Sequence, residues 1–329
     1  MDKFIIPPRL KNGDVVGIVS PSKAPIKNDI VAQRTKNAVS FLESLGLKVK
    51  FAPHVYDNEL FNGATVKNRV NDIHQMFLDP EVKMIMMICG GQYTNLIIDK
   101  IDYNLIKNNP KFFSGFSDGT LLTNAIFKNC GMQAYYGINL NDGLGFGISP
   151  KTKQNFIDTF MDNKPITITE NKELIFTDWA TGKVINNGYN GWKIIKEGTA
   201  EGILTGGLLQ RLISTDYAGY EIDYNNRILF FECTFDAKNI AILLSSMKQK
   251  GIFDKIKGMI IGYCSIVEDQ NEVIEIVNFL TREYSFPIIQ IGELGHNVES
   301  YSLPIGAKAF INTQDRKIII SNDIDAQTY

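Results

Sequence analysis

An α/β fold in two domains is what this sequence predicts, and three observations lead there. Its 329 residues exceed what one small core organises and fall short of three ordinary domains. Short β-rich runs alternate with amphipathic helical patterns through the first half, the rhythm of a sheet covered by helices. The run Met84-Ile-Met-Met-Ile-Cys89 is apolar throughout, as in a parallel strand buried on both faces.

Taken in order, the first strand is expected within Asp14-Val-Val-Gly-Ile-Val-Ser20, ahead of a turn-rich Pro-Ser-Lys-Ala-Pro segment. Ala38, Phe41, Leu42 and Leu45 keep helical spacing up to Gly46, a suitable C′ residue. Leu47-Lys-Val-Lys-Phe51 then reads as a strand. Val66, Val70, Ile73 and Phe77 form a second helical stripe that stops near Pro80, before the Met84 to Cys89 strand. Lys111-Phe-Phe-Ser-Gly-Phe116 is a further strand and Thr120 to Phe127 a helix. Residues 1–165 are thus expected to form an open α/β sandwich.

From 166 to 198 the periodicity fades, with Asn186, Asn187, Gly188, Asn190 and Gly191 crowded together, and this segment is expected to be a linker. Residues 199–329 are expected to form a second, smaller α/β domain. Its strands are Arg227 to Glu232, Met259 to Gly262, Ile288 to Ile291, the region around Ala307 to Ile311, and Lys317 to Ile320, and Ile240, Leu243, Leu244 and Met247 mark a helix. There is no internal repeat and no low-complexity tract.

Composition narrows the partners. Thirty-four basic residues balance thirty-six acidic ones, for a net charge of -2, and no block of one sign offers a footprint for nucleic acid or an anionic membrane. A small molecule or peptide is the expected partner. Cys89, Cys130, Cys233 and Cys264 are widely spread without a C-x-x-C pair, which fits reduced, buried thiols better than disulfides or a zinc site. The N-terminus, Met-Asp-Lys-Phe-Ile-Ile-Pro-Pro, lacks the long apolar stretch of a signal peptide, and no later run approaches membrane-spanning length. A soluble, cytoplasmic protein is expected. The Ser20-Pro-Ser turn has neither G-x-G-x-x-G nor a P-loop lysine pattern, so no cofactor is expected.

Gly115-Phe-Ser-Asp-Gly119 fits G-x-S-x-G and falls after an apolar strand and before a helix, where that motif works. A sharp strand-to-helix turn lifts the hydroxyl of Ser117 off the sheet, and the helix N-terminus offers free N–H groups to developing negative charge. The N–H of Asp118 is a natural oxyanion donor. A plain helix cap by Ser117 or Asp118 fits the same residues. A serine nucleophile needs a base, and the chain has three histidines. His74 sits mid-helix and His54 ends a strand region, whereas His296 follows an apolar strand in a glycine-bearing loop and is the best candidate. Glu232 ends so apolar a strand that its carboxylate must be paired or functional; a structural salt bridge is the competing role. Cys89-Gly-Gly-Gln-Tyr93 closes another strand, where paired glycines serve either a tight turn or a second oxyanion donor.

Several segments together resemble the LD-carboxypeptidase family of serine peptidases. They are Asp14 to Ser22, Asn68 to Lys83, Gly90-Gly-Gln-Tyr93, Asn109 to Asp118, Ala200-Glu-Gly-Ile-Leu-Thr-Gly-Gly207 and Ile228-Leu-Phe-Phe-Glu232, in the family's order along nearly the whole chain. The resemblance implies a Rossmann- or flavodoxin-like N-terminal domain carrying the serine and a C-terminal domain carrying a glutamate and a histidine. It also implies an active site at the domain interface, a homodimer, and metal-free chemistry. On this chain it assigns the nucleophile to Ser117, the glutamate to Glu232, the histidine to His296, and the oxyanion hole to the amides of Asp118 and Gly91. Gly90 and Trp192 are the substrate-binding candidates.

The expected reaction is hydrolysis of an amide through an acyl-enzyme. One family branch removes the terminal D-alanine from muropeptide tetrapeptides during cell-wall recycling. The alternative, the microcin C immunity branch, cleaves peptidyl or aminoacyl nucleotides, and Trp179 and Trp192 are similar to its Trp-bearing linker. A lone Trp192 fits equally an anchor for the second domain. A non-catalytic binding protein on the same fold is the remaining alternative. Leu208, Cys233 and Gly119 depart from what many relatives carry, which leaves the shape of the cleft open.

Overall fold

The computed structural model describes residues 4–146, 149–178, 181–217 and 219–321, which divide into two compact units. The first comprises residues 1–163 together with 302–306, and the second residues 164–301 and 307–329.

The first unit is wound as β1 (Val15–Val19), α1 (Asp29–Ser44), β2 (Lys48–Phe51), α2 (Val66–Leu78), β3 (Val82–Met87), α3 (Tyr103–Asn108), β4 (Phe112–Gly115), α4 (Thr120–Cys130), β5 (Ala134–Tyr136) and α5 (Pro150–Ile157). Helix starts are set by short polar side chains that accept otherwise orphaned amides. Asn28 takes the Val31 N–H at 2.8 Å and Thr65 that of Asn68 at 3.2 Å. Strands β2, β1, β3, β4 and β5 lie side by side in that order, all parallel. This is the flavodoxin-like order, whose ligand site is expected where the chain reverses direction across the sheet, beyond the carboxyl ends of β1 and β3. The apolar run anticipated at residues 84–89 is buried throughout, as a strand covered by helices on both faces requires.

The second unit opens with β6 (Ile166–Thr169), β7 (Phe176–Thr177), β8 (Val184–Ile185) and β9 (Lys193–Lys196), then β10 (Thr199–Leu208), α6 (Leu209–Tyr217), β11 (Arg227–Cys233), α7 (Ala237–Gln249), β12 (Gly258–Cys264), α8 (Gln270–Thr281) and β13 (Ile288–Gly295). After β13 the chain contributes β14 (Leu303–Ile305) to the first unit, antiparallel to β5, and returns as β15 (Lys308–Asn312) and β16 (Lys317–Ser321). The second sheet runs β6-β16-β15-β10-β11-β12-β13-β9, with β10 to β13 parallel.

Two features differ from the sequence expectation. The segment 166–198 is not a bare linker: β6 pairs with β16 and β9 with β13, so it supplies both edges of the second sheet. Such edge strands are short and half-exposed, and carry little periodicity to read. The second sheet, at eight strands against six, is also the larger, so the description of the C-terminal domain as the smaller one does not extend to its sheet.

The four cysteines are buried and free. Among the described residues, no helix is long and apolar enough to cross a membrane, and no group of three or more His, Cys, Asp or Glu side chains could hold a metal ion.

Candidate active site

Ser117 sits two residues beyond the end of β4 with φ of 59°, a left-handed conformation. A non-glycine residue held there is strained, and such strain clusters at functional sites. The surrounding hydrogen bonds over-determine the turn. The Phe116 N–H donates to Asn139 Oδ1 at 2.9 Å, the Ser117 N–H to Tyr136 Oη at 3.3 Å, and Thr120 Oγ1 to the Ser117 carbonyl at 2.7 Å. The helix-capping role does not hold: neither Ser117 nor Asp118 caps the short 3₁₀ turn or α4 with its side chain. The Asp118 carboxylate turns instead towards Ser22 and the Thr94 N–H.

The Gly90-Gly91 turn after β3 faces this elbow. A Cβ on Gly90 would lie 2.8 Å from Ser117 Cβ and 3.1 Å from its Oγ, so only glycine leaves the hydroxyl room. Gly91 has φ of 153°, and a Cβ there would fall 2.3 Å from Ser22 Oγ. The Gly90 N–H is already taken by Asp142 Oδ2 at 3.2 Å. Among the described residues the Gly91 N–H donates to no acceptor. Of the two glycine amides, Gly91 is therefore the one open to a developing oxyanion.

In the second unit, Glu232, the penultimate residue of β11, has no exposed surface, and its Oε2 lies 2.8 Å from His296 Nδ1. His296 directly follows β13, and its side chain keeps 17% of its surface exposed. Strands β11 and β13 are separated by β12, so their axes lie roughly 9.5 Å apart. Gly262 on β12 lets the two side chains meet: a Cβ there would lie 2.9 Å from Glu232 Cβ and 2.5 Å from the Leu294 carbonyl. Ser300 Oγ bridges the N–H and carbonyl of Gly295 at 3.0 and 3.1 Å, fixing the end of the strand that presents the imidazole. The Thr177 N–H donates to the Asn297 carbonyl at 2.6 Å, so β7 ties down the loop on the other side of His296.

The other histidines have structural partners. His54 Nδ1 lies 2.7 Å from Asp72 Oδ1, and His74 Nε2 accepts the Asp102 N–H at 2.9 Å. Cys89 is 6% exposed and burial pushes its thiol pKa up, which keeps it protonated and a poor nucleophile.

Residues 16–137 match the profile of the LD-carboxypeptidase N-terminal domain, and residues 201–311 that of the LD-carboxypeptidase C-terminal domain. The chain belongs to the LD-carboxypeptidase family. It is 30% identical to a probable murein peptide carboxypeptidase of Bacillus subtilis over 95% of this chain and 93% of that protein. It is also 25% identical to the microcin C7 self-immunity protein MccF of Escherichia coli, over 94% of this chain and 93% of that one. Among solved structures, an MccF-like protein from Bacillus anthracis superposes with a TM-score of 0.86 at 29% identity, covering 96% of this chain and 99% of that one. As a member of this family the protein is a serine-type carboxypeptidase.

Within the LD-carboxypeptidase framework, Trp192 is not placed to bind substrate. It is 3% exposed, its indole N–H donates to Glu293 Oε2 at 2.5 Å, and its backbone bonds Glu170 and Arg316. A tryptophan engaged this way anchors the start of β9 and leaves no ring face for a ligand. Trp179 lies outside the described residues. The departures at Leu208 and Cys233 flank Glu232: Leu208 is its register partner on β10, and buried Cys233 follows it in β11. At position 119 the Met87 sulfur occupies the space where a larger side chain would begin, 2.9 Å from an added Cβ.

Sequence reasoning missed Gly262, Asn139, Asp142 and Ser300. Gly262 alone left a signal, as a glycine inside an apolar strand. Asn139 and Asp142 act through contacts distant in sequence, and Ser300 through a turn five residues long that no pattern marks.

Proposed function

We propose that this protein is an LD-carboxypeptidase that removes the terminal D-alanine from muropeptide tetrapeptides, with Ser117 as nucleophile, His296 as general base and Glu232 as the group that orients it. The observation that carries the reading is the 2.8 Å contact between His296 Nδ1 and the buried Glu232 carboxylate. That contact fixes the tautomer with its free lone pair on Nε2 and stabilises the imidazolium once it forms. The left-handed Ser117 gives the complementary half, a hydroxyl held clear of the backbone.

In this mechanism Ser117 Oγ attacks the carbonyl carbon of the scissile amide while His296 Nε2 takes the hydroxyl proton. The amides of Gly91 and Asp118 receive the oxyanion. Collapse of the tetrahedral intermediate breaks the C–N bond, and His296 returns the proton to the departing D-alanine nitrogen. Water activated by His296 then hydrolyses the acyl-enzyme.

Trp192 lends no support to a nucleotide conjugate, because its ring is spent inside the second unit; Trp179 lies outside the described residues. Incubation of the purified protein with a muropeptide tetrapeptide and, separately, with an aspartyl-sulfamoyl-adenosine, followed by mass spectrometry, separates the branches. Release of D-alanine from the tetrapeptide is expected. Turnover of the nucleotide conjugate alone would reassign the protein to the immunity branch.

A further inference from the structure

Three loops of the first unit converge beside Ser117: the turn after β1, the Gly90-Gly91 turn after β3, and the elbow after β4. The join between them is made by one carboxylate and one hydroxyl. Asp118 is completely buried, and its Oδ2 accepts from Ser22 Oγ at 2.5 Å and from the Thr94 N–H at 2.9 Å. Ser22, also completely buried, in turn accepts the Tyr93 N–H at 3.2 Å. The short O–H···O contact is of the charge-assisted kind, about twice as strong as a neutral hydrogen bond. Arg69, 1% exposed, is a cation within electrostatic reach of Asp118. Its guanidinium is held in place by the carbonyls of Ala64 and Leu60 at 2.6 and 2.7 Å.

We propose that Asp118 and Ser22 form a positioning pair that sets the separation of the two oxyanion amides. One amide belongs to Asp118 itself and the other to Gly91, whose turn is fastened through Tyr93, Thr94 and Ser22. The backbone of Asp118 would thus serve the reaction while its side chain fixes the opposite wall of the same hole. The arrangement also answers an electrostatic problem. An acidic residue directly after a serine nucleophile would oppose a developing oxyanion if its carboxylate faced it. Here the hydroxyl of Ser22 and the N–H of Thr94 hold the carboxylate, and its charge interacts with Arg69.

The glycine geometry makes the pair exacting. With a Cβ on Gly91 only 2.3 Å from Ser22 Oγ, the turn rests directly on that hydroxyl, so moving Ser22 moves the turn. Neither Asp118 nor Ser22 touches the reacting atoms through its side chain, and both act by position. The gain from correctly spaced oxyanion donors is specific to the tetrahedral state.

The inference rests on Ser117 being the nucleophile, and the test separates the two ideas. The rate constant for phosphonylation of Ser117 by a fluorophosphonate probe is measured by intact mass, well below each variant's own melting temperature. Phosphonylation of the wild-type protein at Ser117 is required first; its absence would sink the nucleophile assignment rather than the positioning pair. With labelling established, Ser22→Ala is expected to slow it about tenfold and Asp118→Ala about 100-fold. Asp118→Asn, which keeps an oxygen able to accept both bonds, is expected to recover most of the Asp118→Ala loss. A purely structural pair would lower the melting temperature of Ser22→Ala and leave its labelling rate at the wild-type value. That result overturns the proposal, and the mild Ser22→Ala change keeps the test decisive if Asp118→Ala does not fold.

Discussion

A carboxylate with no exposed surface is costly unless its charge and lone pairs are met, and Glu232 meets that requirement through His296. The pair is therefore asymmetric in its response to mutation. Glu232→Gln preserves volume but offers an amide where Nδ1–H needs an acceptor, which can flip the imidazole to the wrong tautomer. Its expected effect is a loss of roughly 10³- to 10⁴-fold in kcat with KM little changed, read from steady-state hydrolysis of the tetrapeptide. A variant retaining more than a tenth of the wild-type kcat would remove Glu232 from the mechanism. At this scale much was legible from the sequence. Ser117 was marked by its flanking glycines and its place between strand and helix, Glu232 by the apolar run it ends, and His296 by elimination among three histidines. Gly262 was not singled out, because its importance arises from two strands that meet across it and not from its own neighbours.

Elements that carry the site are pinned by residues outside it. Asp72, on α2, accepts both the His54 N–H at 3.1 Å and a ring contact at 2.7 Å, so the loop after β2 is fastened to that helix. The hydrogen bond to the Asp72 carboxylate raises the pKa of His54 above its ordinary 6.5. A histidine whose folded pKa is raised contributes stability that is present in full below the unfolded pKa and is lost as pH rises through the folded one. The melting temperature of His54→Gln should therefore fall further below wild type at about pH 5.5 than at about pH 9. An equal deficit at both values would show that the charged form contributes nothing. The helices and buried strands of this unit were readable because their apolar spacing is regular. Strands β6 to β9 were not, since edge strands of two to four residues gain their structure from pairing and have no pattern of their own.

At the scale of the whole chain, the division into units does not follow the order of the sequence. Leu303, Pro304 and Ile305 pair with Tyr136, Tyr135 and Ala134, so the first sheet is completed by residues that arrive only after most of the second unit. Three residues with a central proline give no strand signal, and the partner lies in the other half of the sequence. A fragment ending at residue 163 would lack β14 and expose the edge of β5, whose residues are all buried in the intact chain. Open apolar edges invite aggregation. The fragment is expected to aggregate or melt well below the intact protein, as followed by size-exclusion chromatography and calorimetry. A monodisperse fragment with the intact protein's melting temperature would show that β14 is dispensable.

The proposed chemistry passes through one atom, the Ser117 oxygen that becomes acylated. Peptide mapping by mass spectrometry after rapid acid quench of a reaction with the tetrapeptide tests this most directly. The expected result is a covalent acyl adduct on the peptide containing Ser117, lost in Ser117→Ala together with D-alanine release. Release of D-alanine at the wild-type rate by Ser117→Ala, or an adduct on any other residue, would contradict the account.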